Sequence, residues 1–198
     1  AGVLVVAAEP DTRPSVQDFY AAGLRANADE VVLLASDKDS IQVAEYAAAE
    51  LRKERVDVEV VATKTLLESL AAVSIANPTL EMADDVNAMR SAAERLTSVG
   101  ITRASRNAST PLGEISAGDY LGFVNAQLHN VSSDFVDALC SAAMRAKNAE
   151  LITVIVGSDI EQSDLDDATD ALQTMFPKAE LLFIAGHQEV WSLLVGIE

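Results

Sequence analysis

Along the first hundred residues, short apolar runs alternate with amphipathic stretches. "GVLVVAA" (2–8) is a continuous valine-rich run, the pattern of a strand covered on both faces. Val16, Phe19, Tyr20, Gly23 and Leu24 then recur at i, i+3, i+4, i+7 and i+8, which predicts an amphipathic helix with Pro14 in its first turn. "EVVLLAS" (30–36) reads as a second buried strand. "DKDSIQVAEYAAAELRKER" (37–55) reads as a helix capped by Asp39 or Ser40, with basic residues near its C-terminus. "VDVEVVAT" (56–63) predicts a third strand, and "TLLESLAAVS" (65–74) a short helix ended by the Asn77-Pro78 break. Three strand–helix units in a row imply a parallel sheet. In "TLEMADDVNAMRSAAERLTS" (79–98), Met82, Val86, Met89, Ala93 and Leu96 form a narrow seam that packs on one neighbour, either within this chain or on a partner helix.

Past residue 98 the rhythm changes. "VGITRASRNAS" (99–109) reads as a polar, alternating strand, and "EIS", "YLGFVN" and "QLHNV" as three short strand pieces separated by turn residues. Gly118-Asp119 is placed as a turn, and Gly122 inside a strand as a bulge or close backbone approach. No helix follows these glycines until about residue 133, so the stretch 113–130 reads as a β-meander, not as a phosphate loop. A helix over 132–148 and a strand over 150–157 come next. A helix over 163–176, opened by Ser163 with Asp166 three residues on, and strands over 179–186 and 191–198 complete the pattern. The expected fold class is α/β, in two small lobes. The first, 1–98, is a parallel sheet from βα units ending in a connecting helix. The second, 99–198, is a mixed sheet with a β-meander and βα units.

The chain has 198 residues and a net charge of −17. That charge repels nucleic acid and anionic lipid surfaces, and it fits either plain solubility or steering toward a basic partner surface. A single cysteine excludes a disulfide framework. Cys140 falls on a helical stripe with Val136, Leu139 and Ala143 and is expected to be a buried small hydrophobe, not a nucleophile. No apolar run approaches the roughly 20 residues of a membrane span, so no membrane insertion is expected, and cytoplasmic localisation follows. The start at Ala1, directly in an apolar run, suggests a piece of a longer protein.

Chemistry-bearing motifs are sparse. His129 and His187 lack companions at metal-ligand spacing. The chain has no G-x-S-x-G elbow, no G-x-x-x-x-G-K-[ST] loop, and no G-x-G-x-x-G after a strand. No catalytic residue, metal or cofactor is therefore assigned. Three polar loops remain: "EPDTRPS" (9–15), "SDKDS" (36–40) and "TKT" (63–65). Each follows a predicted parallel strand, so all three should meet on the rim where such sheets bind ligands. Arg13 and Ser15, with Lys38 and Lys64, would suit a carboxylate or phosphate there.

The order of "PSVQDFYAA", "ADEVVLLASDKDSIQVAEYAA", "VEVVATKTLLESLAAV", "ITRASRN", "ISAGDYLGFVNAQL", "AELITVIVGSDI" and "FPKAELLFIAGHQEVWSLLVGIE" resembles the C-terminal region of dihydroxyacetone-kinase-like proteins of the fatty-acid-kinase-A type. The resemblance covers nearly the whole chain and implies a DegV-like fold. It implies a docking or regulatory module, binding a DegV-like fatty-acid carrier whose acyl chain is phosphorylated. ATP and magnesium would belong to a kinase domain of the parent protein, and none is implied for this chain. Together, that loop reading and the resemblance give a ligand- or partner-binding rim of Thr12, Arg13, Ser15, Lys38, Thr63, Lys64, Thr65, Arg106, His187 and Gln188, with Arg13 supplied by the loop reading alone. Where the family has Gly-Gly-Gln-Thr-Met-Asn-Pro-Ser, this chain reads "AEPDTRPS", and where it has Pro-Asn-Asn-Lys-Asn, "ASDKDS". A Gly-Gly-Gln-Pro turn is replaced by Gly186-His187-Gln188-Glu189, and an Arg-Asp pair by Arg106-Asn107. The family also has a βα unit before the first run seen here. Alternatives are a module for a small anion or fatty acid, or part of a dihydroxyacetone-type kinase; a homodimer is left open.

Overall fold

The computed structural model describes residues 2–7 and 12–198. The chain is mixed α/β and divides into two compact units, 1–94 and 95–198, where the sequence pattern placed the change near 98.

In the first unit, α1 (Val16–Arg25) leads to β1 (Glu30–Ala35), α2 (Lys38–Lys53), β2 (Asp57–Ala62), α3 (Leu66–Ser74) and α4 (Met82–Arg95). β1 and β2 pair in parallel, Glu30 opposite Asp57 through Ala35 opposite Ala62. Successive strand residues point to opposite faces, so each strand feeds two cores. Leu33, Ala35, Val58 and Val60 pack with Phe19 of α1 and with Ala44, Ala47, Ala48 and Leu51 of α2. Val32, Leu34 and Val61 pack instead with Ala72 of α3 and with Met82, Val86, Met89 and Ala93 of α4. The seam on α4 is thus filled from within the chain.

The expected first strand does not form. Residues 2–7 join no sheet, and Val3 and Val5 are 68% and 79% exposed; Ala8 lies outside the described residues. A valine-rich run becomes a buried strand only where a neighbour pairs with it and helices cover it. Here only Val6 reaches the first-unit core.

The second unit opens with β3 (Thr97–Arg103), the ribbon β4 (Ala108–Thr110) and β5 (Gly113–Ile115), then β6 (Tyr120–Val124) and β7 (Gln127–Ser132). α5 (Phe135–Ala143), β8 (Leu151–Val156), α6 (Gln162–Met175), β9 (Glu180–Ala185) and β10 (Leu193–Ile197) complete it. Six strands form one sheet in the order β7-β6-β3-β10-β8-β9, antiparallel throughout except for the β8–β9 pair. The ladder between β6 and β7 shifts register at Gly122/Phe123, whose partners are Asn130 and Leu128, so the extra residue of the bulge is His129 on β7; Gly122 itself is a close approach, where a Cβ would stand 3.0 Å from the Ala138 carbonyl. β3 is buried over Ser98–Ile101, a central strand and not the polar one its threonine and arginine suggested. α5 and α6 cover one face through Leu139, Ala142, Ala168 and Leu172, which meet Val99, Ile101, Ile152, Val154, Leu193 and Val195.

Two helix starts also differ from expectation. α2 is capped by Asp37, whose carboxylate accepts from the amides of Asp39 and Ser40, both at 3.0 Å. α6 starts at Gln162 after Glu161, without a side-chain cap, so Ser163 and Asp166 lie inside the helix.

Candidate functional site

The three polar loops of the first unit meet at the C-terminal end of β1. Ser15 caps α1 in a reciprocal box: its hydroxyl accepts from the Asp18 amide at 3.3 Å, while its own amide donates to the Asp18 carboxylate at 2.8 Å. That backbone bond foremost, and then the Ser15 hydroxyl donating to the same carboxylate at 2.7 Å, lower the Asp18 pKa from its ordinary value. Arg13 reaches from this loop to the next, with Nη2 2.8 Å from Asp39 and Nε 3.9 Å from Asp37. The third loop is tied in through hydroxyls. Thr63, fully buried, donates to the Ala35 carbonyl and sits 2.6 Å from the Ser69 hydroxyl, which contacts Ser36 at 3.4 Å. Thr65 caps α3 by accepting from the Glu68 amide, and Glu68 in turn accepts from the Lys64 amide at 2.6 Å. Thr12 lies beside Arg13 in the first loop. The remainder of that loop, 9–11, is outside the described residues.

This arrangement has a definite electrostatic character. A helix N-terminus attracts anions through unpaired amides, and the chain's own side chains take the Asp18 amide at α1, those of Asp39 and Ser40 at α2, and that of Glu68 at α3. The Arg13 guanidinium faces two carboxylates, so its charge is spent locally. Lys38 and Lys64 are exposed and enter no ion pair among the described residues. Among the described residues, what the first unit offers is a knitted set of loop hydroxyls with two exposed ammonium groups, not a formed anion cradle. Two shallow hollows in this unit, of about 210 and 500 Å³, lie elsewhere, by Gly23 and Asn27 and along the outer face of α2 at Tyr46.

Arg106, His187 and Gln188 belong to the second unit. β3 and β8 run the same way, both being antiparallel to β10, and β9 is parallel to β8. Arg106 after β3 and His187-Gln188 after β9 therefore lie beyond the same end of that sheet. Arg106 and His187 are exposed, and His187 has a positive φ of 54°. Gln188 is structural: its Nε2 donates to the Ile155 carbonyl at 3.1 Å, and its carbonyl accepts from the Ser158 amide at 3.0 Å. Sequence reasoning missed the roles of Asp37, Asp39 and Ser69 in the first unit. The spacing of Asp37 and Ser40 carried that signal, since an acidic residue three before a serine amide is a ready cap.

Among the described residues no three of His, Cys, Asp and Glu gather as metal ligands, and no helix is long and apolar enough to cross a membrane. Cys140 is half-buried, where full burial was expected, and burial first, then the charges of Asp137 and Asp134, pushes its thiol pKa up. Alkylation by iodoacetamide at pH 8 should accordingly be about fivefold or more slower in the native chain than in urea, since the thiolate is the reactive form. Equal rates in the two states would contradict this account of the thiol.

A small two-strand parallel unit followed by a six-strand mixed unit defines the fold class shared by dihydroxyacetone kinases and DegV-type proteins. The chain belongs to the FakA-like C-terminal family, the C-terminal region of fatty-acid-kinase-A-like proteins, whose model matches residues 1–198. Protein YloV of Bacillus subtilis is 25% identical over 187 residues, covering 93% of this chain and 33% of that protein. The uncharacterized MG369 homolog of Mycoplasma pneumoniae is 24% identical over 189 residues, with 93% and 34% covered. The chain thus spans about a third of the length of these curated relatives. Among solved structures, the dihydroxyacetone kinase from C. freundii, in complex with AMP-PNP and Mg2+, superposes with a TM-score of 0.70 at 13% identity, over 93% of this chain and 42% of that one. The Streptococcus pneumoniae fatty acid kinase B3 protein, loaded with linoleic acid, gives 0.68 at 14% identity, over 93% and 76%. At these identities the two structures establish the fold.

Proposed function

We propose that this chain is a docking module of a fatty-acid-kinase-A-like protein, one that binds a DegV-like fatty-acid carrier and performs no chemistry of its own. The family match across residues 1–198 carries this reading. Two features of the loops support it. Ser15, Asp37 and Thr65 already hold amides at the helix N-termini that a nucleotide phosphate would use. Arg13, the best-placed cation for a carboxylate ligand, is held by Asp37 and Asp39. The residues present do not fit ATP and magnesium, so phosphoryl transfer is assigned to other parts of a longer protein. Module and carrier would meet through exposed loop residues of the first unit such as Lys38 and Lys64.

The test is calorimetric titration of the purified chain with a DegV-like protein loaded with a long-chain fatty acid, with ATP turnover measured in parallel. The expected result is saturable association with a Kd on the order of micromolar and no ATP hydrolysis by the chain alone. Absence of association with the cognate carrier, or turnover of ATP by the isolated chain, would overturn the reading. The small-anion alternative predicts instead that fatty acid or phosphate binds the chain without any carrier, and the Arg13–Asp39 pair speaks against it.

A further inference from the structure

The second unit ends its sheet on an edge that natural proteins ordinarily protect. Among the described residues β9 pairs only with β8, in an unbroken parallel register from Glu180 opposite Leu151 to Ala185 opposite Val156, and its outer side is unpaired. Edge strands are usually guarded by lysine, proline, a bulge or short length. From Leu181 to Ala185 this strand has no charge, no proline and no bulge. Leu182, Phe183 and Ile184 are 48%, 42% and 40% exposed. Leu182 and Ile184 share one face of the strand. Phe183 lies on the other with Leu181, the face that α6 covers.

Charge around the edge narrows what could cover it. α6 is the crossover between β8 and β9, while α5 lies over β3, β6 and β7, so α6 occupies the β9 side. Its exposed face carries Asp166, Asp167 and Asp170. Glu180 opens the strand and Glu189 follows it; in sequence the cation next to the strand is Lys178. Two copies meeting edge to edge would set two such acidic helices side by side, on chains that already carry −17 each. A basic segment would be drawn to the same place.

We propose that the free edge of β9 accepts an extended protein segment as a seventh strand, with apolar side chains at alternate positions and lysine or arginine at its ends. Main-chain hydrogen bonds supply the pairing, Leu182 and Ile184 the apolar contact, and the α6 carboxylates the selection for basic flanks. The proposal does not rest on the identity of the docking partner above.

Three peptides test it on the full chain: Lys-Lys-Val-Thr-Val-Thr-Val-Lys-Lys, the same core flanked by glutamates, and the lysine peptide with alternate backbone nitrogens methylated. The lysine peptide should bind about tenfold or more tightly than the glutamate one at low salt, and slow hydrogen exchange at alternate amides of Leu182–Ala185. The methylated peptide keeps the charge but loses the pairing, and should not protect these amides. The double substitution Leu182→Lys with Ile184→Lys, at exposed positions, should abolish binding with an unchanged urea midpoint. Equal binding of the methylated peptide would reduce the effect to bulk charge and overturn the proposal. So would indifference to flanking charge, or protection of β9 that grows with protein concentration alone as the chain dimerises.

Discussion

Replacing Leu51 by alanine is expected to lower the stability of the first unit by about 3 kcal/mol, within the range of about 2–5 for buried leucines. Leu51 is fully buried on α2 among Phe19, Leu33, Ala44, Ala47, Ala48, Val58 and Val60. Three of those neighbours are alanines, with no side-chain reach to collapse into the space, so most of the cavity should persist. The measurement is urea unfolding, with hydrogen exchange of the α2 amides to localise the loss. A change under about 1 kcal/mol would mean that α1 and α2 close over the gap.

Gly23 makes the same prediction sharper. A methyl on Gly23 of α1 would stand 2.9 Å from Leu51 Cδ2 and 3.3 Å from its Cγ, with Cδ1 nearer still. Alanine gains about 1 kcal/mol of helix propensity over glycine, but overpacking costs about 1–3 kcal/mol. Gly23→Ala alone should therefore be neutral to destabilising by about 1–2 kcal/mol. In the Leu51→Ala background the added methyl enters the vacated space and should stabilise by about 1 kcal/mol. A coupling of about 2 kcal/mol in the double-mutant cycle is the expected signature of direct contact. Additive changes would show that α1 shifts freely on α2.

The elements that could be read from the sequence were those whose own residues decide their state. α1 announced itself by Val16, Phe19 and Gly23, and the close backbone approach at Gly122 by a glycine inside a strand-like run. What could not be read depended on partners far along the chain. Residues 2–7 look like β1 or β8 in composition, yet nothing pairs with them. β3 carries Thr97, Thr102 and Arg103, yet lies between β6 and β10 and is buried at its centre. The caps of α2 and α6 differed by two or three residues because several polar residues compete at each start, and only the geometry of the preceding loop selects among them. In the candidate site, the cations were legible and their neutralisation was not. Arg13 stands out in "EPDTRPS", but its pairing with Asp37 and Asp39 depends on how two loops from different strands approach.

Gly157→Ala is expected to cost the second unit about 2–3 kcal/mol and to loosen the segment 186–192. Gly157 is buried just beyond β8, and its amide donates to the Ser192 carbonyl at 3.0 Å. An added methyl would meet the carbonyl oxygens of Ser192 at 3.0 Å and Gln188 at 3.1 Å, and that of Trp191 more closely. All three are backbone atoms of one segment, so no side-chain rotation relieves the crowding. That segment is held by Gln188 on Ile155, by the Ser192 hydroxyl on Asp159 at 2.9 Å, and by Trp191 set edge-on to Phe123 at 5.2 Å. Displacing it should expose Trp191, the chain's single tryptophan, and shift its emission to the red. Gly113→Ala is the contrast. Gly113 has a φ of +121° with open space around it, so alanine there is strained by about 1–3 kcal/mol without touching Trp191. Crowding and backbone strain thus separate in one fluorescence measurement. A Gly157→Ala chain with unchanged Trp191 emission and an unchanged urea midpoint would show that the 186–192 segment yields without loss, and that its contacts with β8 do not hold the end of the sheet together.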